Sequence, residues 1–310
     1  MSERATLARS AAFASIGVAA VLISLKTWAT VRTGSAAMMG SLADSSLDLL
    51  ASMVTLVGVW IAAQPADRDH RFGHGKAEAV AAMIQVLLIA ISAAAIAFRS
   101  IDDLVSGARV TAATDGIYVS LFAILATLGL LAWQRFVIAR TRSVAIRTDF
   151  VHYQSDLLLN LAVIAALALD QYAGLSGADP LFGLAIAAWL IWGAYRSGTE
   201  AIDHLMDREW DEAKRQRFVE AAAEHHELSN LHDLRTRTAG NRDFVQFHVD
   251  MPARMTVGEA HDILEKVEED LCRRFPDTEL LIHIDPRGHV DEPDNPLAEE
   301  NEFAKLEKRP

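Results

Sequence analysis

Two pairs of ionisable side chains sit where water should be scarce. Asp44 and Asp48 fall within the apolar stretch "MMGSLADSSLDLLASMV", and His152 and Asp156 within "FVHYQSDLLLN". Each pair is spaced by one helical turn, so both of its groups share a helix face. A carboxylate in the hydrocarbon region costs about 2.5–3.5 kcal/mol on insertion scales. Three carboxylates and one imidazole are hard to keep there without a compensating cation or protons. If the two segments face each other, one nitrogen and three oxygens make a tetrahedral site for a borderline divalent ion such as Zn²⁺. Carboxylates and imidazole bind metal only when deprotonated. Metal and protons then compete for the same atoms, which is the physical requirement for antiport, with His152 a natural proton carrier. Asn160, one turn beyond Asp156, is either a partner of this site or a helix–helix hydrogen-bonding residue.

Two further groups could hold metal. The loop "PADRDHRFGHGKAE" carries Asp67, His70 and His74 beside flexible Gly73 and Gly75. It reads either as a grip for one metal ion or as an ordinary charged loop at the headgroup level. Farther along, His232, His248, His261, His283 and Asp285 are spread over what reads as a small α/β region. His283 and Asp285, two apart on a strand, point to the same face. A three-stranded sheet could gather these groups around one or two ions. His225 and His226 lack a partner pattern and read as surface residues. Lys76 and Asp207 could form an ion pair joining the two parts of the chain, worth about 0–1 kcal/mol if exposed.

The elements that must position these groups follow from the distribution of apolar residues. The chain has 310 residues and is 51% hydrophobic, but the first two thirds are apolar and the last third is rich in Asp, Glu, Arg and His. Six segments approach the length of about 20 apolar residues that a membrane span needs. They run roughly over 11–32, 36–63, 78–98, 115–138, 147–170 and 181–203, with breaks expected at Pro65, Asp102–Asp103 and Asp179–Pro180. The polar first ten residues carry no small-residue cleavage pattern, so the first apolar stretch reads as a retained span.

Basic residues gather on one side: Arg4 and Arg9, then Arg68, Arg71 and Lys76, then Arg135, Arg140, Arg142 and Arg147. The other side shows Arg32, Arg99 and Arg109. The richer side should be cytoplasmic, which puts both termini in the cytoplasm. After Asp207 the pattern reads helix 211–225, strands 230–238 and 243–251 around the turn "AGNR", helix 256–274 with a Thr256/Glu259 cap, and strand 279–285. This α-β-β-α-β order suggests helices on one face of a small sheet. Three regions result: a six-span domain over 1–206, a cytoplasmic domain over 207–287, and an acidic tail over 288–310. The tail, with Glu299, Glu300, Glu302 and Glu307, reads as a solvated, disordered end.

Composition excludes several classes. A net charge of −12 argues against nucleic acid as partner. The single cysteine, Cys272, rules out an intramolecular disulfide and any thiolate-rich zinc site, leaving His and carboxylate ligands. No H-E-x-x-H helix supports a metalloenzyme. A metal sensor that uses its spans only as an anchor would leave the intramembrane groups without a role.

The motifs "LADSSLD", "DHRFGHGKAE", "HYQSDLLLN", "LHDLRTR", "FHVD" and "LIHIDP" resemble the cation diffusion facilitator family, in particular its bacterial zinc and iron efflux branch. The resemblance runs from about residue 10 to 287. It implies a homodimer in the bacterial cytoplasmic (inner) membrane, with six spans per protomer, a metallochaperone-like cytoplasmic domain and alternating access. It implies a transport site at Asp44, Asp48, His152 and Asp156, and a loop site at Asp67, His70 and His74. It also implies a dimer-interface site at His232, His248, His261, His283 and Asp285, and a charge interlock between Lys76 and Asp207. The expected cargo is Zn²⁺, with Fe²⁺ and Cd²⁺ as alternatives and protons as counter-ion. The chain is expected to be a secondary transporter and not an enzyme.

Overall fold

A computed structural model describes residues 3–33, 36–106, 114–173, 178–288 and 301–307. The chain divides into two compact units, Met1–Leu205 and Met206–Pro310.

The first unit holds six long helices: α1 (Glu3–Thr33), α2 (Ala36–Ala62), α3 (Ala77–Ser106), α4 (Thr114–Thr141), α5 (Val144–Ala173) and α6 (Ala178–Leu205). The shortest has 27 residues, about 40 Å at 1.5 Å per residue, against a hydrocarbon core of about 30 Å. Among the described residues, stretches of α1, α2, α3 and α4 are long and apolar enough to cross a membrane. The interior mixes small and polar side chains, including Ala11, Ala12, Ala51, Ala82, Ala93, Ser15 and Thr55, with larger apolar ones such as Ile89, Ile146 and Leu190. Large apolar groups such as Leu87, Ile91, Phe98, Leu125 and Trp192 point outward. The outward apolar groups suit a bundle solvated by acyl chains, and the small residues inside let helix backbones approach. Gly58 is such a point, since a methyl placed there would run into Cβ of Ala81 on α3.

Two expected breaks are not breaks. Helix α3 continues through Asp102–Asp103 to Ser106, and α6 starts at Ala178, ahead of Asp179–Pro180. Asp tolerates a helix that runs past the apolar layer, and Pro in a first turn lacks only an N–H that would have had no partner.

The second unit comprises α7 (Glu212–Ala223), β1 (Ser229–Ala239), β2 (Arg242–Met251), α8 (Val257–Arg274), β3 (Thr278–Pro286) and α9 (Glu302–Glu307). The sheet order is β1-β2-β3, with β1–β2 antiparallel and β2–β3 parallel. Asp211 caps α7 by accepting from Lys214 N, and Thr256 and Glu259 close the expected capping box on α8. The core joins Phe218, Val219, Leu231, Leu234, Phe247 and Leu271, with Phe218 edge-on to Phe247 at 5.8 Å. Trp210 closes one end. Its indole N–H donates to Asp243 at 3.2 Å, and Lys214 Nζ lies 3.7 Å from its ring centre.

The tail corrects an expectation. Residues 289–300 lie outside the described residues, but Glu302–Glu307 is helical, and Phe303 and Leu306 pack against the core. Glu302 is buried and accepts from Arg215 at 3.1 Å. The acidic composition hides an apolar pair one turn apart, which suffices to dock a short helix. Phe303→Ala should lower the unfolding free energy of this unit by about 1–2 kcal/mol, as expected for a part-buried aromatic. An unchanged denaturant midpoint would remove α9 from the fold's stabilising contacts. His225 is also not a free surface group: its Nε2 lies 3.3 Å from Asp270 Oδ2, while His226 is exposed.

Candidate metal centres

The second and fifth helices bring their ionisable groups together. His152 Nε2 lies 3.1 Å from Asp48 Oδ1 on α2 and 3.9 Å from Asp156 Oδ2, one turn along α5. One ligand atom from each of Asp48, His152 and Asp156 can be chosen within 4.8 Å of the others. His152 is 7% exposed, so the cluster faces the bundle interior. Asp44 stands one turn before Asp48 on α2, and its side chain lies outside the described residues. Asn160 Nδ2 donates to the Asp156 carbonyl at 2.7 Å, so it is tied to its own helix.

The polar contacts continue along the α2–α5 seam. Ser52, one turn past Asp48, shares a 2.8 Å hydrogen bond with Tyr153, whose hydroxyl also donates to the Ser15 carbonyl at 3.1 Å. Beyond them lies Asp149, 0% exposed. Its Oδ2 accepts from Ser15 Oγ at 2.7 Å and Gln134 Nε2 at 2.8 Å. Its Oδ1 accepts from Gln85 Nε2 at 3.1 Å and Thr55 Oγ1 at 3.5 Å. Donors from α1, α2, α3 and α4 thus converge on one carboxyl of α5. Sequence reasoning missed this hub, although the 149/152/156 spacing already places Asp149 on the face of His152 and Asp156.

The α2–α3 loop is folded around Asp67. Its Oδ1 accepts from the backbone N–H of His70 at 2.7 Å and of Asp69 at 3.0 Å. The His70 N–H, foremost, holds the Asp67 carboxyl below its ordinary range. His74 Nε2 lies 3.3 Å from Asp67 Oδ2, and the His70 and His74 rings are 4.6 Å apart. Gly73, at φ +82°, makes the turn between them. The three residues offer ligand atoms within 4.8 Å of one another.

In the second unit, strand register gathers three histidines. His232 pairs with His248, and His248 with His283, across the three strands. His248 Nδ1 lies 2.9 Å from Asp285 Oδ2, His232 Nε2 3.6 Å from the same oxygen, and His283 Nε2 3.5 Å from Asp285 Oδ1. His232, His248 and Asp285 form the compact set. His283 is exposed at its edge, and His261 stands exposed on α8 outside that set. Lys76 Nζ donates to the Leu205 carbonyl at 3.1 Å within the first unit, and Asp207 faces Arg237 at 3.4 Å within the second.

Comparison with known proteins finds family models and relatives over most of the chain. A family model described as cation efflux transmembrane domain matches residues 12–206, and one described as cation efflux protein, cytoplasmic domain, matches 210–287. The chain is 41% identical over 280 residues to the cation-efflux pump FieF of Cronobacter sakazakii, covering 90% of this chain and 93% of that protein. It is 40% identical over 290 residues to FieF of Serratia proteamaculans, covering 94% and 96%. Among solved structures, the metal-bound C-terminal domain of the CzcD transporter from Thermotoga maritima is 22% identical. That match covers 26% of this chain and 99% of that one, with a TM-score of 0.25.

Proposed function

The chain belongs to the cation efflux family, the cation diffusion facilitators, and from that premise we propose that it exports Zn²⁺ from the cytoplasm in exchange for protons. The family fixes the coarser statement: a multi-pass membrane protein that moves divalent cations and carries the family's cytoplasmic dimerisation domain.

The observation that carries the finer reading is the convergence of Asp48, His152 and Asp156 on one interior point, with Asp44 one turn away on the same helix. Nitrogen and carboxylate oxygens suit Zn²⁺ ahead of Fe²⁺ on affinity order, with Cd²⁺ a further candidate. Each ligand must lose its proton to bind metal and can take one when the metal leaves, so one site serves both ions in turn. Alternating access then exposes that site to one side at a time. The Asp67, His70 and His74 loop is proposed to load or regulate, and the His232, His248 and Asp285 set, with His283 and His261, to bind structural or regulatory metal. The lysine- and arginine-rich side is proposed to be cytoplasmic in a bacterial inner membrane, with the protein a homodimer.

The test is Zn²⁺ uptake into proteoliposomes in which the cytoplasmic face points outward. Export chemistry moves Zn²⁺ inward and protons outward, so acidifying the lumen should accelerate uptake, and a protonophore should abolish the acceleration. Flux indifferent to the gradient would refute proton coupling. Fe²⁺ or Cd²⁺ outcompeting Zn²⁺ would reassign the cargo.

A further inference from the structure

Strand β1 is irregular on both sides of His232. Its pairing with β2 steps from Ser229↔Asp250 to His232↔His248 and then to Arg235↔Gln246. Each step uses three residues of β1 against two of β2, so a bulge flanks His232 on either side. The residues inside the bulges, Asn230 and Asp233, have φ of 54° and 47°. That region is unfavourable for L-residues, although Asn and Asp tolerate it best, and such strain concentrates at functional sites.

Each bulge sets a polar group beside an imidazole. The Asn230 carbonyl accepts from His232 Nδ1 at 2.7 Å, which leaves the Nε2 lone pair facing Asp285. The Asp233 carboxylate lies on the far side of the His248 ring. His248 turns Nδ1 to Asp285 at 2.9 Å and Nε2 toward Asp233 Oδ2 at 3.8 Å. Arg235 holds that carboxylate, with Nη2 3.0 Å from Oδ2 and Nε 3.2 Å from Oδ1. A metal-binding imidazole generally gives its other N–H to a carboxylate or carbonyl, which fixes the ring and raises its basicity.

We propose that Asp233 is a positioning residue of the cytoplasmic metal site, orienting His248 through its second ring nitrogen, while the Asn230 carbonyl does the same for His232. The proposal rests on the reading of His232, His248 and Asp285 as a metal site. His232, His248 and Asp285 would hold the ion, and Asp233, 3.8 Å from His248 Nε2, would accept the proton on that outer nitrogen and fix the ring. The left-handed backbone at 233 is what places a carboxylate there.

The experiment separates backbone from carboxylate. Zn²⁺ is titrated against a competing chelator on the full chain in detergent, carrying Asp48→Ala and Asp67→Ala so that tight binding reports the cytoplasmic site. Asp233→Gly keeps the positive φ at no steric cost but removes the carboxylate. It should weaken binding by about 10–100-fold, the usual effect of losing such a partner, with the melting temperature unchanged. Asp233→Asn keeps an acceptor oxygen and should recover part of the loss. Parent-like binding by Asp233→Gly overturns the proposal. Asp285→Ala is the control on the underlying reading: if it leaves Zn²⁺ binding intact, the site itself is misassigned, whatever Asp233 does.

Discussion

Asp156→Ala is expected to abolish Zn²⁺ flux in proteoliposomes while leaving the chain folded. Asp156 is partly exposed and contributes one arm of a cluster whose other members, Asp48 and His152, keep their 3.1 Å contact without it. Its loss therefore threatens the site more than the bundle. Flux should fall by at least ~100-fold, because even a partner that only orients a metal ligand is worth about 10–100-fold in metal affinity. Stopped-flow uptake with an entrapped zinc indicator would read this directly, and a thermal melt in detergent would verify folding. Retention of more than a tenth of the parent flux would remove Asp156 from the ligand set. The same outcome would undermine the reading of His152, which shares its helix face.

The second large effect is expected at Asp149 and has the opposite character, acting on the fold first. Asp149→Leu strips a shared acceptor from Ser15, Thr55, Gln85 and Gln134, all buried in the interior of the first unit. A buried polar group left without a partner costs about 1–3 kcal/mol. The two hydroxyls can turn elsewhere, and the two amides cannot both be satisfied. The Leu variant should be strongly destabilised, measured as a loss of monodisperse protein and of melting temperature. Asp149→Asn should be far milder. The amide oxygens of Gln85 and Gln134 have no hydrogen-bond partner among the described residues, so either can rotate to accept from the new NH₂. The Asn variant should fold and carry flux within about tenfold of the parent, the loss of roughly one neutral hydrogen bond. Equal stability of parent and Leu variant would show that the hub holds nothing together.

Much of this molecule was legible because its two solvents impose different patterns. Six apolar runs announced six helices, and period-two alternation around "AGNR" announced the β1–β2 pair. The Thr256/Glu259 box marked where α8 begins, and the structure closes it. The one-turn spacing of 152/156 and the carboxylate of Asp48 in a second apolar run pointed to the three groups that the structure brings together, while Asp44 lies outside the described side chains. Other features were not legible for physical reasons. Helix ends depend on where an apolar layer stops, and Asp102–Asp103 ends the layer without ending α3. The hub at Asp149 needs donors from four other helices, and no local pattern announces a glutamine that will face a carboxyl many residues away. The bulges around His232 are invisible because a strand with two extra residues still alternates on either side of them. Helix α9 was hidden by net charge, although two apolar side chains decide whether it docks.

Trp210 gives the protein an optical property. It is the single tryptophan outside the six long helices, since Trp28, Trp60, Trp133, Trp189 and Trp192 all lie on them. Its ring is capped by the Lys214 ammonium, and its N–H points at Asp243. Positive charge over one face and negative charge at the nitrogen bias the excited-state dipole. The emission colour of this one indole should therefore shift when the second unit unfolds, while Trp28, Trp60, Trp133 and Trp192, exposed on the long helices, respond to lipid and detergent.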